Sequence, residues 1–147
     1  MTYEEATALI KNKKSLGIQP GLSRMQTAME SIGNIQNQLK VIHVAGTNGK
    51  GTVCGAVAQA LTEKGYRVGL FTSPWVMDYR EQIQINGEWI AKGDFAEYTA
   101  AFQSLDLTEF ELVTAIMYAY FYDQKVDYAV IECGMGGAND STNCLLY

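Results

Sequence analysis

Residues 41–52, Val-Ile-His-Val-Ala-Gly-Thr-Asn-Gly-Lys-Gly-Thr, constrain the fold more than any other stretch of the chain. A short β-branched run, Val41, Ile42 and Val44, stops at Gly46, and a helical pattern of apolar residues begins at Val53. Between them lies a glycine-rich turn that holds Lys50. Gly46, Gly49 and Gly51 let the backbone turn tightly with its N–H groups inward, and the following helix adds the positive end of its dipole. The loop therefore suits a polyphosphate. Lys50 reaches the β- and γ-phosphates as a point charge, and the Thr52 hydroxyl stands where it can bind phosphate or magnesium. The strict spacing G-x-x-x-x-G-K-[ST] is not met, because Val44 takes the first glycine position and Gly51 separates Lys50 from Thr52. This is a variant phosphate loop; the competing reading is an ordinary glycine-rich turn between strand and helix.

A chain of 147 residues is the size of one domain with a sizeable core. Hydrophobic content of 48% and charged content of 18% suit a globular protein and argue against disorder. A net charge of -5 argues against a general nucleic-acid or membrane surface, so any bound anion needs a local site. No apolar run reaches membrane-spanning length and the acidic start does not read as a signal peptide, so a cytoplasmic location is expected. Cys54, Cys133 and Cys144 lack metal-ligand spacing and read as buried thiols. His43, inside the first strand, reads as a packed residue and not as a ligand or base.

Thr2-x-x-Glu5 is a capping box that opens a helix to about Lys14, followed by a loop over 15–22. Met25, Ala28, Met29 and Ile32 share one face of a second helix that ends at Gly33. The helix after the phosphate loop stops at Gly65, and residues 66–72 form a second strand, which completes a β-α-β unit expected on a parallel sheet. Residues 83–90 alternate around Asn86-Gly87, a hairpin signal. Asp94-x-x-Glu97 and Thr108-x-x-Glu111 are read as caps of two further helices, the latter reaching Gln124, and Met117, Tyr118, Tyr120, Phe121 and Tyr122 on it read as core. The last strand spans 126–133.

Helices between short apolar strands predict a three-layer α/β domain with a mostly parallel sheet and a small β-hairpin. Ligands bind beyond the carboxyl ends of such strands, which selects residues 46–52, 72–74 and 132–143. Glu132, in an apolar strand, is costly to bury unpaired, and a magnesium ion beside the phosphates offsets that cost. Ser73, at the end of the neighbouring strand, offers a second hard oxygen. The bland alternatives are a salt bridge for Glu132 and a turn role for Ser73. Residues 134–143 are glycine-rich and then polar, suited to a ligand or to plain solvent exposure, with Asp140 and Asn143 as candidate hydrogen-bonding groups.

Taken together these segments resemble the folylpolyglutamate synthase and dihydrofolate synthase family, relatives of the Mur ligases. The matching segments are residues 43–52, Thr72-Ser73-Pro74, Arg80-Glu81-Gln82-Ile83 with Asn86-Gly87, and Thr108-Glu109-Phe110-Glu111 with Thr114-Ala115. Residues 130–137 and Asp140-Ser141-Thr142-Asn143 complete the match. The resemblance implies a phosphate-loop NTPase-like ATPase domain, incomplete at 147 residues, with the C-terminal domain of the family absent. It implies an ATP-dependent amide ligase: the carboxylate of folate or dihydropteroate takes the γ-phosphoryl group of ATP, and the amine of L-glutamate displaces phosphate from the acyl phosphate. By position it gives Thr47, Asn48, Gly49, Lys50, Gly51 and Thr52 to ATP and Ser73 and Glu132 to Mg2+, with Lys50 and Glu132 as the catalytic pair. It gives Gln19, Pro20, Gly21, Leu22, Thr108, Glu109, Phe110, Glu111, Asn139, Asp140 and Ser141 to the pterin-bearing substrate. Trp75 and Gly137-Ala138-Asn139-Asp140 depart from motifs common in the family, which bears on substrate preference. Small-molecule partners, no nucleic acid, no membrane and a monomer at full length are expected. The alternatives are a phosphate-binding fragment without turnover and a Mur-type peptide ligase, the latter weakened by the folate-type segments.

Overall fold

A computed structural model describes residues 1–13, 22–45, 49–73 and 75–133. Helices α1 (Tyr3–Lys13) and α2 (Ser23–Ser31) precede strand β1 (Val41–Val44), helix α3 (Lys50–Glu63) and strand β2 (Val68–Phe71). The hairpin β3 (Ile83–Ile85) and β4 (Glu88–Trp89), helices α4 (Lys92–Phe102) and α5 (Glu109–Asp123), and strand β5 (Tyr128–Glu132) follow.

The strands lie in the order β1-β5-β2-β3-β4. β1, β5 and β2 are parallel, whereas β3 and β4 pair antiparallel, so the sheet is mixed and the expected hairpin extends it beyond β2. The hairpin turns as its sequence demands: Asn86 and Gly87 both take positive φ, 49° and 82°. Asn86 Oδ1 also accepts a 2.9 Å hydrogen bond from Val68 N, which fixes the turn to the start of β2. β5 sits between β1 and β2, so the chain crosses over one strand on leaving α3.

The period-two alternation of the central strands builds three layers. Ile42, Val44, Val68, Leu70 and Val130 face α3, where they pack with Cys54 and Ala58. Phe71, Ala129 and Ile131 face the other way into the larger core formed with α1, α2, α4 and α5. Gly69 also points to that face, and a Cβ there would lie 2.8 Å from the Phe121 ring. The absence of a side chain in mid-strand is what lets α5 approach the sheet. Every residue from Glu111 to Phe121 is buried, the signature of a helix apolar all round and enclosed by its neighbours. Met117, Tyr118, Tyr120 and Phe121 on α5 are core as expected, but Tyr122 is not: it falls in the last turn of the helix, past the buried run, and is exposed.

Both outer capping boxes form as read. Glu5 N donates to Thr2 Oγ1 at 3.1 Å while Thr2 N donates to Glu5 Oε2 at 2.8 Å, and Thr108 and Glu111 do the same at the start of α5. Asp94 does not cap α4: the helix starts two residues earlier at Lys92, its N-cap is Ala91, and no side chain accepts a capping bond. Asp94 falls instead in the first turn, where its charge complements the helix dipole. The linker before β1 contains a short 3-10 turn, Ile35–Gln38, that polar composition alone did not indicate.

Candidate active site at the carboxyl edge of the parallel strands

Because β1, β5 and β2 run parallel and in register, Val44 lies beside Glu132 and Phe71 beside Ile131, so all three strands end at one edge. α3 starts at this edge. Its N-cap is Gly49 at φ 74°, left-handed backbone that strains any other side chain, and no side chain caps the first turn. The first-turn N–H groups are thereby left for an anion. A Cβ on Gly51 would meet nothing within 4 Å, and Gly51 and Thr52 are exposed, so among the described residues nothing covers the helix end.

Lys50, the first residue of α3, turns back across the edge and donates from Nζ to the Cys133 carbonyl at 2.9 Å. Glu132, only 7% exposed at the end of β5, accepts a 2.9 Å hydrogen bond at Oε2 from Ser73 N. The structure thus brings together Gly49, Lys50, Gly51, Thr52, Ser73 and Glu132 from three separate segments. Cys54, one turn into α3 and fully buried, reports the local field: burial pushes its thiol up to about 11, the Glu132 charge adds to the rise, and Lys50 opposes it. Cys133 is also buried, while His43 is half-buried in mid-β1, level with Ile131.

Among the described residues no group of three His, Cys, Asp or Glu side chains could hold a metal unaided. Mg2+ does not require one, since it is held by one or two carboxylates together with substrate phosphates and water. Glu132 with the Ser73 and Thr52 hydroxyls supplies hard oxygen donors of that kind near the uncapped start of α3, so the residues present fit the ion.

The second group of predicted residues lies at the start of α5. Glu111 is 2% exposed and its carboxylate is occupied: Arg24 of α2 grips it bidentately, Nε to Oε1 at 3.0 Å and Nη2 to Oε2 at 3.1 Å, and Thr108 N donates to Oε1 at 2.9 Å. Thr108 and Glu111 therefore fix the helix start. Phe110 packs against Phe71 with ring centres 6.1 Å apart, which ties this segment to the end of β2, two residues before Ser73. Leu22 precedes α2 and is half-buried. Gln19, Pro20, Gly21, Thr47, Asn48, Asn139, Asp140, Ser141, Asn143 and Cys144 lie outside the described residues.

Sequence reasoning passed over the connection from Ser73 to β3. Asp78 caps the 3-10 turn Tyr79–Gln82 in a capping box with Glu81, and Asp78-x-x-Glu81 is the pattern that would have revealed it. Glu81 also accepts from Val76 N at 3.0 Å and Met77 N at 2.8 Å, bonds that hold its carboxyl below the usual range. Val76 and Met77 are consequently held on the surface, 80% and 87% exposed. Asp78 pairs with Arg80 at 3.1 Å and accepts from the Tyr3 hydroxyl, which links the connection to α1.

No family model matches the chain. It is 38% identical over 152 residues to the dihydrofolate synthase/folylpolyglutamate synthase of Bacillus subtilis, a match covering 96% of this chain and 35% of that protein. The crystal structure of folylpolyglutamate synthase from Thermotoga maritima superposes with a TM-score of 0.90 at 34% identity, covering 98% of this chain and 36% of that one. An FPGS–AMPPCP–folate complex superposes with a TM-score of 0.87 at 38% identity, covering 99% of this chain and 38% of that one. The chain spans about a third of the length of the curated relatives it matches. Identity at this level, sustained over nearly the whole chain in both sequence and fold, decides kinship: the chain belongs to the folylpolyglutamate synthase and dihydrofolate synthase family.

Proposed function

We propose that this chain carries the nucleotide site and the acceptor-substrate site of an ATP-dependent ligase that joins L-glutamate to folate or dihydropteroate through an acyl phosphate. The reading rests above all on the convergence of Lys50, Ser73 and Glu132 at one strand edge, with the Lys50 ammonium 2.9 Å from the Cys133 carbonyl and Glu132 2.9 Å from Ser73 N. It is supported by the likeness to a complex of a folylpolyglutamate synthase with an ATP analogue and folate. Residues 1–147 are taken as part of a Mur-ligase-type ATP-binding domain.

Thr47, Asn48, Gly49, Gly51 and Thr52 bind the phosphates through backbone N–H groups and hydroxyls. Lys50 leaves the Cys133 carbonyl for the β- and γ-phosphates and stabilises charge on the transferring phosphoryl group. Ser73 and Glu132 hold Mg2+, which when bound neutralises phosphate charge. Leu22, with Gln19, Pro20 and Gly21, forms one wall for the pterin-bearing substrate, and Asn139, Asp140 and Ser141 another. Glu109 and Phe110 face the substrate from the start of α5, which Thr108 and Glu111 hold in place. The carboxylate to be activated is thereby set against the γ-phosphate, which is chiefly a matter of positioning. The setting is cytoplasmic, the full-length enzyme is a monomer, and neither nucleic acid nor membrane takes part. Among the described residues no helix is long and apolar enough to cross a membrane.

A second reading, favoured by the share of the relatives' length that the chain spans, is a nucleotide-binding fragment without turnover. Titration of the chain with magnesium-ATP beside Lys50→Ala, followed by a phosphate-release assay with dihydropteroate and L-glutamate, decides between them. We expect Lys50→Ala to weaken magnesium-ATP binding at least ~10-fold, the value of one charge-assisted contact. Equal affinities would remove the phosphate loop from the account. Glutamate-dependent phosphate release supports the ligase, and binding without release supports the fragment.

A further inference from the structure

Two buried polar atoms beside the candidate site, the Tyr79 hydroxyl and Glu109 Oε2, make no hydrogen bond of ordinary geometry. They belong to segments that are rigid for separate reasons. Tyr79 is 3% exposed and its ring is held between Trp75, 4.7 Å away centre to centre, and Phe95, stacked at 6.3 Å. Glu109 is the first residue of α5, whose start is fixed by the Thr108–Glu111 capping box and the Arg24 grip on Glu111. Burial pushes the Tyr79 hydroxyl well above its ordinary range, and the Glu109 charge and a side-chain hydrogen bond to Glu109 add to the rise, so the protonated hydroxyl faces that carboxylate as a donor. A buried donor and a buried acceptor that have only each other, on rigid supports, form an isolated pair whose geometry is set by the two segments that carry it, whereas the other buried carboxylates among the described residues, Glu111 and Glu132, are bonded at ordinary distances.

We propose that Tyr79 is a positioning residue for the acceptor substrate: its buried hydroxyl orients the Glu109 carboxylate at the mouth of α5, so that Glu109 presents its remaining lone pairs to a hydrogen-bonding edge of the bound ring. This rests on the acceptor site proposed above and adds Tyr79, which the family motifs do not mark. Tyr79 touches no substrate itself; it acts through Glu109.

Tyr79→Phe, Glu109→Gln and the double variant of the 147-residue chain test this, with folate and magnesium-ATP affinities measured separately by calorimetry. Tyr79→Phe should weaken folate binding roughly 5- to 10-fold, the range of one hydrogen bond, and leave magnesium-ATP binding unchanged. The double variant should bind folate no worse than Glu109→Gln alone, because Tyr79 works only through that carboxylate. Folate bound equally by the parent chain and Tyr79→Phe, or losses that multiply in the double variant, overturn the positioning role and leave the acceptor site standing. A parent chain that binds magnesium-ATP but no folate overturns the acceptor site and this role with it.

Discussion

The start of α5 and the end of β5 each bury a carboxylate, Glu111 at 2% exposure and Glu132 at 7%, and treat it in opposite ways. Glu111 is surrounded: a bidentate guanidinium and a backbone N–H occupy its oxygens and join α2 to α5. Glu132 accepts one N–H, from Ser73, and among the described residues has no ion pair, although Lys50 lies close enough to act on the same thiol. A buried charge with its full complement of partners is part of the architecture, whereas one with unused lone pairs is what the proposed Mg2+ site requires. Similar burial, read without the partners, would have assigned the two the same role.

Breaking the satisfied carboxylate should have the largest effect. Arg24→Met leaves Glu111 charged and buried with only its capping bond, and should cost about 3 kcal/mol of unfolding free energy in a denaturant titration. A loss below about 1 kcal/mol would show that Glu111 is not fixed by Arg24 and would erase the contrast. Glu132→Gln should do the reverse. The amide oxygen still accepts from Ser73 N, so stability should move by less than about 1 kcal/mol, while magnesium-ATP affinity falls roughly tenfold or more with the loss of the hard anionic ligand. Stability and binding measured on the two variants together give the sharpest form of the comparison.

Glu132 was legible in the sequence because a charged residue in Ala129-Val130-Ile131-Glu132-Cys133 has no reason to be there on propensity alone. The start of α3 was legible from its glycines, Gly49 being the left-handed N-cap, and α5 from its capping box and unbroken apolar run. The pairing of Glu111 with Arg24 was not, since Arg24 lies 87 residues away on another helix, and no local pattern announces a tertiary ion pair. The same holds for β5 inserting between β1 and β2, which local periodicity cannot order. Asp94 misled for a different reason: a D-x-x-E pattern marks a cap only where the chain before it is extended, and here Lys92 and Gly93 already belong to the helix.

The smallest expected effect uses Cys54 as a reporter on the unsatisfied side. Its thiol titrates near 9.0 when unfolded and at about 11 when folded, raised first by burial and then by Glu132. Above pH 9 the unfolded chain releases this proton while the folded chain keeps it, so the folded state binds more protons and stability falls as pH rises to about 11. Below pH 9 the contribution is fully present. Its size should be roughly 1–2 kcal/mol, below the full conversion. Subtracting the pH profile of Cys54→Ala isolates this thiol from the tyrosines that titrate in the same region with the same sign. In Glu132→Gln the thiol should ionise at lower pH, because one of the two causes of its rise is gone, whereas Lys50→Ala should shift it upward. An unmoved titration in Glu132→Gln would mean that Glu132 is not a bare charge in the folded chain, and that the two carboxylates differ less than their hydrogen bonds suggest.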